Sequence, residues 1–250
     1  MNNTEKANYI TKWINDYVND MIRPAKSLIV GISGGIDSSL TSTLAASTGL
    51  QTIVVTMPIH SDKNHIQLSL DHASWLTNKY KNVQHHVVDL TETFNKFSSL
   101  MNNHESKLGF ANSKARLRMM TLYQVASANN GLVVGTGNKV EDFGVGFYTK
   151  YGDGGVDISP IADLMKSEVR DLSKQLGIIR EIIDAQPTDG LWDDGRTDEM
   201  QLGLTYDQIE EAMLNDKSIN REKYLELREP NLHKMKEIPI CILPKLEELK

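Results

Sequence analysis

The first half of the chain alternates short apolar runs with longer amphipathic stretches. The apolar runs are KSLIVGIS (26–33), QTIVVTMPI (51–59), QHHVVDL (84–90) and LVVGT (132–136). Each reads as a strand, and KSLIVGIS is a short apolar run suited to a buried parallel strand. Between them Asp37 to Ser47, HIQLSLDHASWLTNKY (65–80) and NSKARLRMMTLYQVASANN (112–130) read as helices, the last ended by Gly131. The alternation predicts an α/β fold, a doubly wound parallel sheet with helices on both faces.

After Glu141 the period is lost. EDFGVGFYTKYGDGGVDIS (141–159) is glycine-rich, and PTDGLWDDGRTDE (187–199) is a second irregular stretch. Loops this long in a compact domain are usually functional or disordered. Helical segments are expected at 163–185 and in TYDQIEEAML (205–214), with Thr205 as N-cap. A charged C-terminal helical tail then turns apolar at IPICIL (238–243), which predicts that the tail docks against the protein.

Composition narrows the class. The 250 residues show no repeat or low-complexity linker, so a single domain spanning 1–250 is expected. About 40% of residues are apolar and 24% charged, with a net charge of −6. That acidic balance argues against a nucleic-acid partner, while a local basic pocket can still hold an anion. No apolar run approaches the roughly 20 residues of a membrane span, and the start lacks a signal pattern. A cytoplasmic protein is expected. Cys241 is the lone cysteine, so no internal disulfide can form.

GISGGIDSS (31–39) lies between an apolar strand and a helix. Gly31, Gly34 and Gly35 allow a tight turn and close approach to a ligand, and Ser33, Ser38 and Ser39 add hydroxyls. The following helix points its free N–H groups at the same spot. Phosphate binding is the natural reading, although the lysine of a Walker A loop is absent. Asp37 would repel phosphates unless it held a cation such as Mg²⁺. Two other readings compete: a plain Gly/Ser turn, and a GxSxG nucleophile elbow with Ser33 as nucleophile and His233 as the late histidine. The elbow suffers because only 32 residues precede the serine.

SGGIDSS resembles the pyrophosphate-binding loop of the N-type ATP pyrophosphatases (adenine nucleotide alpha-hydrolase-like), which cleave ATP between its α and β phosphates. Within that superfamily KARLRMMTLY (114–123), VVGTGNKVED (133–142), FYTKYGDGGVDISP (147–160), LMKSEVRDL (164–172), PTDGLWDDGRTDE (187–199) and LGLTYDQIEE (202–211) resemble the NAD synthetases. The resemblance implies an ATP- and Mg²⁺-dependent ligase that amidates deamido-NAD with ammonia through an acyl-adenylate, releasing AMP and pyrophosphate. It also implies a homodimer. With only about 25 residues before the first strand there is no room for a glutaminase domain there, so free ammonia is the expected donor unless a separate subunit delivers it.

The same resemblance implies roles at matching positions. Gly31, Ile32, Ser33, Gly34, Gly35, Ile36, Asp37 and Ser38 would cradle the ATP phosphates, with Thr136, Lys166 and Thr188 lining the same site. Asp37 and Glu141 would hold the metal. Arg116, Lys150, Asp157, His233 and Lys234 would contact deamido-NAD. Asp153 and Lys166 would be catalytic, Asp153 by binding or deprotonating ammonium and Lys166 by stabilising the leaving pyrophosphate. The chain departs from the family in one place. The common pattern after Gly135-Thr136 is Asp-His-Ala-Ala-Glu, whereas here it is Gly137-Asn138-Lys139-Val140-Glu141, with one residue inserted before TKYGDGG. Counting forward from the strand makes Glu141 the second metal carboxylate; counting back from Lys150 makes it Asp142. The forward count is preferred, because the strand end is rigid.

Plainer readings stand beside these. Lys114, Arg116 and Arg118 fit a solvated helix face, Lys150 and Lys166 ordinary surface lysines, and Asp153 and Asp157 turn residues. His65 and His72 share a helix face but have no third ligand for zinc. His85 and His86 read as structural. Other functions weighed are a tRNA-modifying pyrophosphatase, which lacks its basic surface here, and a non-catalytic ATP-binding module.

Overall fold

In the computed structural model, the described residues are 1–188, 190, 191 and 195–243. Chain order is α1 (Asn3–Asp20), β1 (Ser27–Gly31), α2 (Ile36–Ser47), β2 (Gln51–Thr56), α3 (Lys63–Lys79), β3 (Val83–Val87), α4 (Thr91–Leu100), α5 (Lys107–Ala128) and β4 (Gly131–Val133). A π-helical turn (Lys139–Val145) follows, then α6 (Lys166–Leu176), α7 (Arg180–Asp184), α8 (Asp198–Leu202), α9 (Tyr206–Leu214), α10 (Arg221–Arg228) and α11 (Leu232–Met235).

The four strands pair in parallel in the order β3-β2-β1-β4. Leu28, Val30 and Val54 point into a core shared with α1, α2, α3 and α6, while Ile29, Ile53 and Val55 point into a second core beneath α4 and α5. Both faces of β1 and β2 are therefore covered, which explains why these two read as continuous apolar runs, whereas the edge strand β3 buries only Val83 and leaves Gln84, His86 and Val87 exposed. The doubly wound α/β class expected from the sequence is observed.

Strand ends differ where local chemistry intervenes. β2 stops at Thr56, short of the expected 59, and Pro58 nearby has no amide to give a ladder. β4 is only three residues long, continued by a single bridge between Val134 and Ile158. Among the described residues three helices lie outside the expected set, α1, α4 and the short α8. α1 starts at a capping box in which Asn2 and Glu5 exchange hydrogen bonds, and α4 closes over the second core through Phe94. Thr205 caps α9 as expected, completing a box with Gln208.

A third, smaller core holds Val140, Val145, Leu202, Leu204, Tyr206, Ile209 and Tyr224. It joins α8, α9 and α10 to the π-helical turn. The C-terminal tail is helical as far as Met235, but the docking expected of IPICIL is corrected. Ile238, Ile240 and Ile242 are 64–81% exposed. The run carries Pro239 and forms no helix, so it has no helical face to bury. Residues 244–250 lie outside the described set, as do Asp189 and Trp192 to Asp194 of the second irregular stretch. Among the described residues no helix is long and apolar enough to cross a membrane.

Candidate active site

β1 and β4 lie side by side, but the chain leaves the sheet from them in different directions. Such a switch point opens a crevice at the C-terminal ends of the strands, where open α/β sheets bind ligands. Both irregular connections meet there: residues 32–36 after β1, and residues 134–138 after β4.

The first connection is shaped for an anion. Gly34 has φ +86°, and a Cβ on it would lie 2.5 Å from the His65 carbonyl oxygen, so only glycine fits against α3. Ser38 Oγ accepts from Ser33 N at 3.2 Å, and Ser33 Oγ accepts from Gly35 N at 3.2 Å, fixing the loop. Gly35 is the N-cap of α2 and offers no side-chain cap, which leaves the first-turn amides for a ligand. Ser33 Oγ also meets Ser38 Oγ at 3.1 Å. His233, the histidine the nucleophile-elbow reading needs, bonds the Pro230 carbonyl instead. That reading has no geometric support.

Asp37, on the first turn of α2, faces across the crevice. Its Oδ2 accepts from Lys166 Nζ at 2.6 Å, and its Oδ1 accepts from Asn138 Nδ2 at 3.0 Å. The same ammonium donates to Glu141 Oε1 at 2.8 Å. Lys166 is only 2% exposed and lies over the Tyr206 ring. Far from being a surface lysine, it is clamped between two carboxylates. Burial pushes its pKa down, but Asp37 and Glu141 outweigh burial and hold it above the ordinary lysine value. Burial raises Asp37, and Lys166 offsets that only in part. For Glu141 burial is overcome by Lys166, Tyr206 and Asn138, and its pKa falls.

Two of these residues went unnoticed as site residues in the sequence. Asn138 is fully buried and caps the π-helical turn, accepting from Val140 N and Glu141 N at 3.0 and 3.1 Å. Its position three residues before Glu141 was a readable cap signal. Tyr206 donates to Glu141 Oε1 at 2.5 Å and lies 3.1 Å from Asp198 Oδ2. Nothing in TYDQIEE separates this tyrosine from a core residue.

Asp37 and Glu141 converge on a single cationic charge, the Lys166 ammonium. Among the described residues no group of three or more His, Cys, Asp or Glu could hold a metal alone. Two carboxylates completed by water and phosphate oxygens suit Mg²⁺ better than an all-protein cage. The residues present fit that ion. Glu141, and not Asp142, shares Lys166 with Asp37; the Asp142 carboxylate turns toward Gly137.

The other candidates divide. Thr136 is half-buried in the connection just after β4. Thr188 Oγ1 donates to the Arg196 carbonyl at 3.1 Å, tying its own loop. Arg116 Nε donates to the Lys150 carbonyl at 3.2 Å, and Arg116 lines a groove of about 470 Å³ with Met120, Tyr123 and Tyr151. Asp157 is already engaged, by Tyr123 OH at 2.9 Å and Val133 N at 2.8 Å. Lys234 Nζ donates to the carbonyls of Gly146 and Tyr148 and lies over the Tyr148 ring, whereas His233 is exposed. Asp153 is exposed by surface area, yet its carboxyl is crowded by protein, which pushes its pKa up; its Oδ1 accepts from Thr149 N at 3.0 Å.

A family model described as NAD synthase matches residues 6–242. The chain belongs to the NAD synthase family. It is 39% identical over 237 residues to the NH(3)-dependent NAD(+) synthetase of Mesoplasma florum, covering 93% of this chain and 92% of that protein. The corresponding synthetase of Methanococcus aeolicus is 38% identical, covering 89% of this chain and 86% of the relative. Among solved structures, the NMN synthetase from Francisella tularensis superposes with a TM-score of 0.88 at 31% identity, covering 98% of this chain and all of that one. The NH3-dependent NAD synthetase from Campylobacter jejuni superposes at 0.77 with 23% identity, covering 97% of this chain and 100% of that one; this likeness bears on the fold alone. As an NAD synthase family member the chain is an enzyme, a nucleotide-binding ligase of NAD biosynthesis.

Proposed function

We propose that the chain amidates deamido-NAD with ammonia at the expense of ATP, and that the crevice between β1 and β4 is where it does so. The observation that carries this is the convergence of Asp37 and Glu141 on Lys166 beside the uncapped N-terminus of α2. The loop 31–38 would receive the phosphates on backbone amides, with Thr136 and Thr188 at the rim. Asp37 and Glu141 would hold Mg²⁺, which supplies charge neutralisation between the carboxylate of the acceptor and the phosphates of ATP. Lys166 would turn its ammonium toward the leaving pyrophosphate. The nicotinate carboxylate attacks the α-phosphorus, forming an acyl-adenylate and releasing pyrophosphate. Ammonia then adds to the acyl carbon, AMP leaves, and the amide remains. Asp153 would take the proton that ammonium gives up.

Arg116, Lys150 and Lys234 would supply positive charge for a dinucleotide acceptor, with Asp157 and His233 as its further contacts. Met120 and Tyr151 are exposed on the same groove, which supports an isologous dimer that buries it. ATP and a dinucleotide acceptor as substrates support a cytoplasmic location.

A second acceptor is suggested by the likeness to the Francisella NMN synthetase, namely nicotinate mononucleotide. One assay addresses both: ATP, Mg²⁺ and ammonium with either acceptor, followed by measurement of AMP and amide product. NAD and AMP formed in equal amounts support the reading. ADP and inorganic phosphate as the coupled products contradict it, and turnover of the mononucleotide alone reassigns the acceptor.

A further inference from the structure

Lys166 is the first helical residue of α6, and the N-cap before it, Met165, has no side-chain oxygen to offer the free amides of the first turn. Two carboxylates take over. Glu168 Oε2 accepts from Met165 N at 2.9 Å, and its other oxygen binds Lys6 of α1. Glu210, on α9 and 43 residues from Ser167 in the chain, takes both donors of that serine. Its Oε1 accepts from the backbone N at 2.9 Å and its Oε2 from the hydroxyl at 2.7 Å. A capping side chain ordinarily satisfies one amide. Here the second oxygen is spent on the hydroxyl, and a two-point contact fixes orientation as well as distance.

α9 reaches the site a second time. Tyr206 stands four residues before Glu210, so the two side chains share a helix face. Tyr206 OH donates to Glu141 Oε1 at 2.5 Å, and the Lys166 ammonium lies over its ring, 4.7 Å from the centre. One face of α9 therefore holds the backbone from which Lys166 springs, the ring beneath its ammonium and one of its two carboxylate partners. Ile209 and Ala212 seat α9 itself in the third core.

We propose that Glu210 is a positioning residue for the adenylation: through Ser167 it fixes the start of α6, and so the place from which the Lys166 ammonium reaches the leaving pyrophosphate. This inference rests on the proposed reaction. There Lys166 meets charge that grows only as pyrophosphate departs, so a displaced ammonium lowers kcat and largely spares the binding of ATP.

Steady-state kinetics and melting curves of four variants test it. Glu210→Ala should lower kcat about tenfold, with KM for ATP within about twofold of wild type. Ser167→Ala keeps the bond to the backbone N and should lose less, about threefold. Ser167→Ala/Glu210→Ala should be no slower than Glu210→Ala, because the two residues act through one contact. Glu210→Gln can accept from Ser167 N through its amide oxygen and donate to Ser167 Oγ through its nitrogen, so it should regain most of the kcat that alanine loses. Ser167→Ala removes a single hydroxyl, which keeps the test open should Glu210→Ala not fold. Wild-type kcat in Ser167→Ala, or in a folded Glu210→Ala, would leave Glu210 as a helix cap and overturn the proposal, whatever the melting temperatures. Losses that multiply in the double variant would overturn it too. Absence of turnover in the wild type would refute the proposed reaction and this inference with it, whereas the variant outcomes refute the inference alone.

Discussion

Replacing Lys166 with methionine leaves Asp37 and Glu141 facing each other without their shared cation. Both carboxylates are largely withdrawn from solvent, with side-chain exposures of 18% and 16%. Removing one partner of a buried ion pair costs about 3–5 kcal/mol, because the remaining charge is left uncompensated. For a chain of this length that corresponds to a fall in Tm of about 6–20 °C. The sign of the pH response follows. The unpaired carboxyls will titrate above their unfolded values, so the folded variant binds more protons than the unfolded chain. Lys166→Met will therefore be stabilised by acidification and lose that stability as pH rises through the raised pKa. Mg²⁺ alone should restore part of the Tm of the variant and do less for the wild type, whose site already holds an ammonium. Calorimetric melts of both proteins, with and without Mg²⁺ at two pH values, provide the measurement. A variant that melts like the wild type and ignores both Mg²⁺ and pH would refute the clamp.

Three further outcomes are expected. Asp37→Asn should abolish turnover while preserving the far-ultraviolet spectrum, and near-normal activity at ordinary Mg²⁺ would show that the carboxylate holds no metal. His72 is buried, bonds Ser42 Oγ at 2.9 Å and stacks on Trp75, and burial pushes its pKa down from 6.5 to about 4. The unfolded chain therefore takes up a proton that the fold refuses, and about 3 kcal/mol of stability should be lost as pH falls from 6.5 to 4; His72→Gln should flatten that limb of a denaturation series. His233→Ala/Lys234→Ala should weaken deamido-NAD binding more than ATP binding, and equal losses in the two measured affinities would reduce the pair to a structural anchor.

Much of the fold was legible because burial on both faces leaves a plain trace. LIV and IVV runs can hardly be anything but interior strands when amphipathic helices separate them. The loop after β1 was legible too, since its glycines and serines are adjacent in sequence and meet locally in space. Lys166 was harder. Its partners lie 129 and 25 residues away, so an isolated lysine at a helix start gives no sign that it will be buried. Tyr206 is hidden for the same reason. The π-helical turn has no hydrophobic period to betray it, and its glycine-rich surroundings imitate a loop. The apolar tail misled in the opposite direction: IPICIL has core composition, but on this single chain its isoleucines remain exposed.

The central claim is that this site activates a carboxylate by joining it to AMP. Deamido-NAD labelled with oxygen-18 in its nicotinate carboxylate tests this most directly. During turnover with ATP, Mg²⁺ and ammonium, mass spectrometry should find one labelled oxygen in AMP for each NAD formed, and none in pyrophosphate. Label in released phosphate or in pyrophosphate, or NAD formed without label in AMP, would contradict the account.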